Sequence, residues 1–78
     1  MEKTIKTIKC GQRGNYRVSR VLLDDGTTTD VVRCGFFSVS AAGFENGLAL
    51  TDHRDVEHVP NPINAKLIGE ALEQLDKQ

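Results

Sequence analysis

The sequence is poor in aromatic residues and has no long apolar run. Its 78 residues include no tryptophan, one tyrosine and three phenylalanines, which leaves little material for stacking on nucleic-acid bases. The segment FFSVSAAGF at 36–44 is short and is interrupted by serines and a glycine. A membrane-spanning helix needs about 18 consecutive apolar residues. We therefore expect no membrane partner.

Export signals are also missing. The N-terminal segment MEKTIKTIKC carries lysines throughout and lacks the apolar stretch of a signal peptide, which favours a cytoplasmic protein. Thiols in that compartment stay reduced, although an even number of cysteines in a small chain is an argument for a disulfide. We expect Cys10 and Cys34 to be free thiols.

Catalytic signatures are equally scarce. Ser38 and Ser40 do not lie in a G-x-S-x-G nucleophile elbow. The segment GQRG at 11–14 lacks the glycine and lysine spacing of a P-loop or a dinucleotide fingerprint. A domain this small has little room for an enclosed pocket. The sequence therefore predicts a protein that is not an enzyme, with no catalytic residue and no cofactor.

Both histidines lie in one acidic segment, TDHRDVEH at 51–58. In an extended strand His53, Asp55 and Glu57 would project to one side, where nitrogen and oxygen ligands suit a divalent metal. Together with the two cysteines, His53 and His58 would also complete a Cys₂His₂ set. The cysteines, however, are 24 positions apart, whereas a zinc knuckle places them about two to four residues apart. We expect a solvated polar loop here and no metal site.

The charge distribution is uneven, although the formal net charge is only −1. Residues 1–20 contain six basic residues and one acidic residue, a charge of +5. Residues 21–78 contain four basic and ten acidic residues, a charge of −6. A nearly neutral protein can therefore still present a basic surface, which points to an anionic partner.

The clearest structural element is a C-terminal helix. Asn61 is a capping residue and Pro62 suits the first helical position, so the sequence predicts a helix over about 62–76. Its apolar residues span about 200° of the helical wheel, whereas packing on one sheet needs a stripe a little over about 100° wide. The helix is therefore expected to contact a second surface.

One edge of this apolar arc carries small residues. Ala65 and Gly69 are four positions apart, so a second backbone could approach closely there, with Leu72 beside them. Glycine inside a helix costs about 1 kcal/mol relative to alanine, which calls for a reason. Two alternatives stay open: a loop of the same domain covers this edge, or the edge contacts a partner or a second copy of the chain.

A β-hairpin is predicted around the loop DDG at 24–26. The flanking segments NYRVSRVLL and TTTDVVRC are rich in β-branched residues. A three-residue loop opposes Tyr16 to Cys34, Val18 to Val32, Leu22 to Thr28 and Arg20 to Asp30, which gives one coherent core face and one complementary ion pair. A two-residue turn would instead oppose Val21 to Asp30, a less coherent pattern.

The remaining elements are less distinct. Residues 3–10 are predicted to form a first strand. Residues 38–47 are predicted to form either a short helix or a strand running into a turn, and 48–50 and 55–59 are predicted to form short strands. We therefore predict one domain over 1–78 with an α+β fold, β-rich over 1–60. A small antiparallel sheet of three to five strands carries the C-terminal amphipathic helix on one face.

The hairpin register also predicts a basic surface. It sets Arg17 across from Arg33 on the face away from the core, where opposed like charges are unfavourable without a counter-charge. The predicted surface comprises Lys6, Lys9, Arg13, Arg17 and Arg33. Acidic side chains at 52, 55 or 57 are an alternative, since they could neutralise it within the fold.

These surfaces predict a binding protein. The preferred hypothesis is an accessory protein, adaptor or inhibitor that acts on a larger protein partner by steric or electrostatic occlusion. A nucleic-acid-binding domain that uses the basic N-terminal strands is the alternative. A homodimer through Ala65, Gly69 and Leu72 is a third hypothesis.

Overall fold

The computed structural model describes residues 2–45, 50–51, 54 and 57–77. One antiparallel sheet contains every described strand, each paired with the next along the chain. The elements are β1 Lys3–Cys10, β2 Tyr16–Leu22, β3 Thr28–Cys34, β4 Phe37–Ser40, α1 Ala41–Glu45, β5 Leu50–Thr51, β6 Glu57–His58 and α2 Pro62–Asp76. The predicted α+β class is confirmed: β1–β4 form the main sheet, and β5 and β6 add two residues each. Within the described residues no helix is long and apolar enough to cross a membrane.

The β2–β3 hairpin has the predicted register. The pairs include Arg17 with Arg33, Val18 with Val32, Arg20 with Asp30 and Leu22 with Thr28. The Leu23 amide donates to the Thr27 carbonyl at 2.8 Å and closes the loop. Gly26 takes a φ of 86°, a left-handed conformation that glycine adopts without a steric penalty.

The core lies between α2 and one face of the sheet, which we call the inner face. Its buried residues are Tyr16, Val18, Val32, Leu50, Ile68, Ala71, Leu72 and Leu75, and α1 packs Ala41 and Phe44 against the same cluster. Alternation along the strands turns Arg17 and Arg33 to the opposite side, the outer face, on which none of the described helices lies. Of the predicted inward residues, Cys34 packs at the margin of the core, and Leu22 is half-buried outside it.

The segment after β3 combines both predicted alternatives. It continues as β4 to Ser40, whose hydroxyl accepts the Gly43 amide at 3.2 Å at the start of α1. The rest of this segment, at 46–47, lies outside the described residues. β6 falls within the predicted strand at 55–59, whereas β5 shares only Leu50 with the predicted strand at 48–50 and extends to Thr51; 48–49 and 55–56 lie outside the described residues.

Hydrogen bonds join the start of α2 to the turn between β1 and β2. Asn61 caps the helix by accepting the Asn64 amide at 2.8 Å, and the Asn64 side-chain oxygen accepts the Gln12 amide at 2.8 Å. Gly11, in the same turn, has a φ of 80° and lies against the Tyr16 ring. Asn64, which intrudes on the apolar arc of the helix, therefore joins α2 to this turn.

Arg20 joins the sheet to the other end of α2. Its guanidinium donates to both carboxylate oxygens of Asp30, at 2.9 and 3.1 Å, as the hairpin register predicts. It also bonds an Asp76 oxygen at 2.5 Å and the Leu75 carbonyl at 3.1 Å. The bonds to Asp30 and then Asp76 raise the pKa of Arg20 above its ordinary value. The Arg20 side chain thus donates a hydrogen bond to the Leu75 carbonyl, in the last turn of the helix, where carbonyls have no partner within the helix.

Substitutions at Gly11 and Gly14 test the packing of the turn. A Cβ atom on Gly11 would lie 2.6 Å from Cδ2 of Tyr16, a residue that is 3% exposed. Gly14 has a φ of 67° but no described atom within 4 Å of such a Cβ, so it controls for backbone strain. We expect Gly14→Ala to lower the free energy of unfolding by about 1 kcal/mol, and Gly11→Ala by about 1–3 kcal/mol more, in urea denaturation. Equal losses would contradict the close approach at Gly11.

Candidate anion-binding face

A row of three basic side chains crosses the outer face. Lys9 pairs in register with Arg17, and Arg17 with Arg33, so three neighbouring strands contribute one cation each. Adjacent strands lie about 4.8 Å apart, and all three residues are exposed. We call Lys9, Arg17 and Arg33 the basic row.

The other two predicted basic residues lie elsewhere. Lys6 pairs with Arg20, which reaches α2, so Lys6 belongs to the inner face. The reason is strand alternation, since Lys6 and Lys9 are three positions apart and face opposite sides. Arg13 is exposed in the turn beyond Lys9, at the same end of the sheet as the basic row.

No carboxylate of the described residues forms an ion pair with the basic row. Glu57 lies on the outer face in line with Arg33, because paired residues of neighbouring strands connect the two positions. It is, however, three strands beyond Arg33, about 14 Å away. The acidic residues at 52 and 55 lie outside the described residues. Arg17 and Arg33 therefore oppose each other directly, an unfavourable arrangement for like charges.

Hydroxyl groups flank the basic row. Thr7 and Ser19 share a hydrogen bond of 2.9 Å on the neighbouring cross-strand line, and Ser38 is exposed beside Arg33. The aromatic residues of the described strands, Tyr16 and Phe37, pack on the inner face. The outer face thus presents the cations of the basic row and the exposed hydroxyls of Thr7 and Ser38, which suit the oxygen atoms of an anionic ligand, while Ser19 and Val21 on the same face are buried.

The inner face contains Cys10, Cys34 and His58, three of the residues that the sequence associates with metal or redox chemistry. The Tyr16 hydroxyl lies 2.7 Å from Nε2 of His58, and the His58 and Phe37 rings have centroids 5.3 Å apart. Burial, and then the nearby Cys34, raise the pKa of Tyr16, and burial also raises the pKa of Cys10. The phenol and this thiol therefore stay protonated at neutral pH.

Cys10 and Cys34 are free thiols, as predicted. They lie on β1 and β3 with β2 between them, so their Cα atoms are about 10 Å apart, beyond the ~7 Å limit for a disulfide. Over the part of the chain that the structure describes, no group of three or more His, Cys, Asp or Glu residues could hold a metal ion. His53 lies outside that part.

The small-residue edge of α2 borders an open groove. Gly69 and Leu72 line one side, and Ala41 and Phe44 of α1 line the other, with a volume of about 360 Å³. Leu72 is itself buried in the core, and Ala65 is half-buried. A Cβ atom on Gly69 would have no described atom within 4 Å. In the described ranges, then, no second backbone approaches this edge closely.

Comparisons with protein-family models, with curated proteins and with solved structures find no match to this chain. The sheet geometry and the surface chemistry are therefore the basis for inferring a function. The hairpin register places the basic row, and these three cations have no ionic partner among the described carboxylates.

Removal of one arginine from the basic row is predicted to stabilise the fold. Arg33→Thr keeps a residue that favours strands and removes the like-charge pair. We expect the free energy of unfolding to rise by about 0.2–1 kcal/mol at low ionic strength, and the gain to shrink in about 1 M salt because of screening. Arg20→Thr, which breaks the pair with Asp30, is the control and should destabilise. A loss of stability in Arg33→Thr at low salt would show that the fold itself compensates Arg33.

Proposed function

We propose that this chain is a non-enzymatic binding protein whose outer face docks on an acidic segment of a larger protein partner. It would act as an accessory protein, adaptor or inhibitor by covering that segment, and its place would be the cytoplasm. The observation that carries the proposal is the basic row: three exposed cations on adjacent strands, unpaired with any described carboxylate.

An anionic partner lowers the energy of this face. The repulsion between Arg17 and Arg33 is present in the free protein, and a carboxylate bound between them offsets it. Arginine binds carboxylates through two parallel N–H···O bonds, which also fixes their orientation. A row of cations with one sign steers the diffusional encounter, so association should be fastest at low salt.

The surface chemistry favours an acidic polypeptide over a nucleic acid. Single-stranded nucleic acids are recognised largely through aromatic rings on which their bases stack. Tyr16 and Phe37 pack in the core on the opposite side of the sheet. Phe36 is 83% exposed, but it lies in the turn between β3 and β4, and the described strands offer arginine, lysine and hydroxyl groups on the outer face without an aromatic ring. Cations alone bind phosphates without reading sequence, so nucleic acid is the competing outcome of the test below.

The non-enzymatic part of the proposal rests on how the reactive side chains are used. Tyr16 and His58 bond to each other, and Tyr16 is almost fully buried. The thiol of Cys10 packs against the core, and burial raises its pKa, which makes it a poor nucleophile at neutral pH. These groups therefore contribute to packing within the inner face.

Charge reversal on the outer face tests this function. The probe is fluorescently labelled poly-L-glutamate, and the variant combines Arg17→Glu with Arg33→Glu. We expect the native protein to bind the probe with an affinity that falls steeply with salt, and the variant to bind about tenfold or more weakly, by fluorescence anisotropy. Lys66→Glu combined with Lys77→Glu makes the same change in net charge at exposed positions outside the sheet, and should leave the affinity unchanged.

Two results would contradict the proposal. Equal losses in the two double variants would mean that net charge alone drives binding, without a specific face. Binding of a labelled single-stranded oligonucleotide that depends on Arg17 and Arg33, without binding of polyglutamate, would replace the protein partner by a nucleic acid.

A further inference from the structure

The outer face supplies charge, whereas buried apolar contacts supply most of the affinity of protein complexes. An uncovered apolar surface lies next to it, along β1. This strand has eight residues and forms one edge of the sheet, so alternate residues turn their backbone N–H and C=O groups away from β2. The edge thus combines free hydrogen-bonding groups with the apolar surface described below.

An open cleft of about 220 Å³ lies between β1 and α2. Its apolar lining consists of Ile8, Cys10, Leu67 and Ala71, with Glu70 and Gln74 on the helix side. The volume is below the ~300–1,000 Å³ typical of small-molecule pockets, so the cleft suits the side chains of a docked segment. Ile63 lies one turn before Leu67 on the same side of the helix. It is 59% exposed and continues the apolar surface.

We propose that the β1 edge binds an extended segment of the partner as an additional strand, and that this segment alternates apolar and acidic side chains. The inference rests on the proposed function, because it specifies how the acidic partner docks. Alternate side chains of an added strand point to opposite faces. Those on the inner side enter the cleft beside Ile8 and Cys10. Those on the outer side lie next to Lys9 and meet the end of the basic row.

Charge complementarity selects this occupant over a second copy of the chain. Lys3, Lys6 and Lys9 lie along β1, and none is paired with a described carboxylate. Pairing of two β1 edges would gather the lysines of both copies along one seam, and edge lysines and bulges discourage such pairing. The bulge between Thr4 and Lys6 leaves regular pairing over 6–10. Acidic side chains on the outer side of an added strand have the charge complementary to Lys9, whereas Lys3 and Lys6 lie on the inner side of β1.

The test uses the whole chain and two capped heptapeptides of one composition. One alternates glutamate and valine, and the other places its valines in one block, which keeps the charge but removes the alternation. At saturation with the alternating peptide we expect hydrogen exchange of the outward-facing β1 amides to slow by about tenfold, followed by NMR. The block peptide should leave these amides unprotected.

Two matched variants locate the apolar contact. Ile63→Ser trims the apolar surface beside the cleft and should weaken binding of the alternating peptide by about fivefold. Ala65→Ser, on the other side of α2, should leave the affinity unchanged. Equal affinities in the two variants would overturn the assignment of the cleft.

The remaining outcomes separate this inference from the proposed function. If neither peptide protects the β1 amides, or if both protect them equally, strand addition is overturned. The proposed function would still stand if the peptides shift the NMR signals of Arg17 and Arg33. Protection that persists with Arg17→Glu and Arg33→Glu would support strand addition and remove the basic row from the function. A protected β1 edge without peptide, together with a dimer mass in sedimentation equilibrium, would make a second copy the occupant and contradict the proposal.

Discussion

Packing of α2 on the inner face is the interaction on which the rest of the structure depends. Ile68 and Leu75 are buried in one cluster with Tyr16 and Val18, and this packing determines which face of the sheet is excluded from water. Because strand side chains alternate, this packing also turns Arg17 to the solvent. A slip of one residue would exchange the two faces and bury arginines in an apolar core. The basic row is therefore a consequence of the same packing that stabilises the domain.

Polar contacts at its two ends set the position of α2 on the sheet. Apolar burial is non-directional, whereas the hydrogen bonds that the Gln12 amide donates to Asn64 and that Arg20 donates to Asp76 join defined atoms. With both ends held, α2 lies beside β1 at a separation that leaves the apolar cleft open. The cleft and the basic row meet at Lys9, which lines the cleft and is also part of the basic row. One partner segment along β1 can therefore reach both.

Local patterns predicted most of the fold, and contacts between distant segments could not be predicted. The hairpin register follows from a three-residue loop that ends in Gly26 and from alternation in the flanking strands. The bonds from Asn64 to Gln12 and from Arg20 to Asp76 join residues 52 and 56 positions apart, which no periodicity reveals. The wide apolar arc of α2 predicted contact with a second surface; Ile63 stays exposed, and that contact stays a prediction. The arc alone did not distinguish the Ala65 edge from the side that borders β1.

An uncompensated positive charge on the outer face is the central claim, and paramagnetic probes test it most directly. An anionic and a neutral nitroxide of similar size broaden amide NMR signals according to how often each probe visits an amide. We expect the anionic probe to broaden the signals of Lys9, Arg17 and Arg33 more than the neutral probe does, and the excess to disappear at high salt. Equal broadening by the two probes across the outer face would mean that these charges are neutralised within the fold, and would contradict the claim.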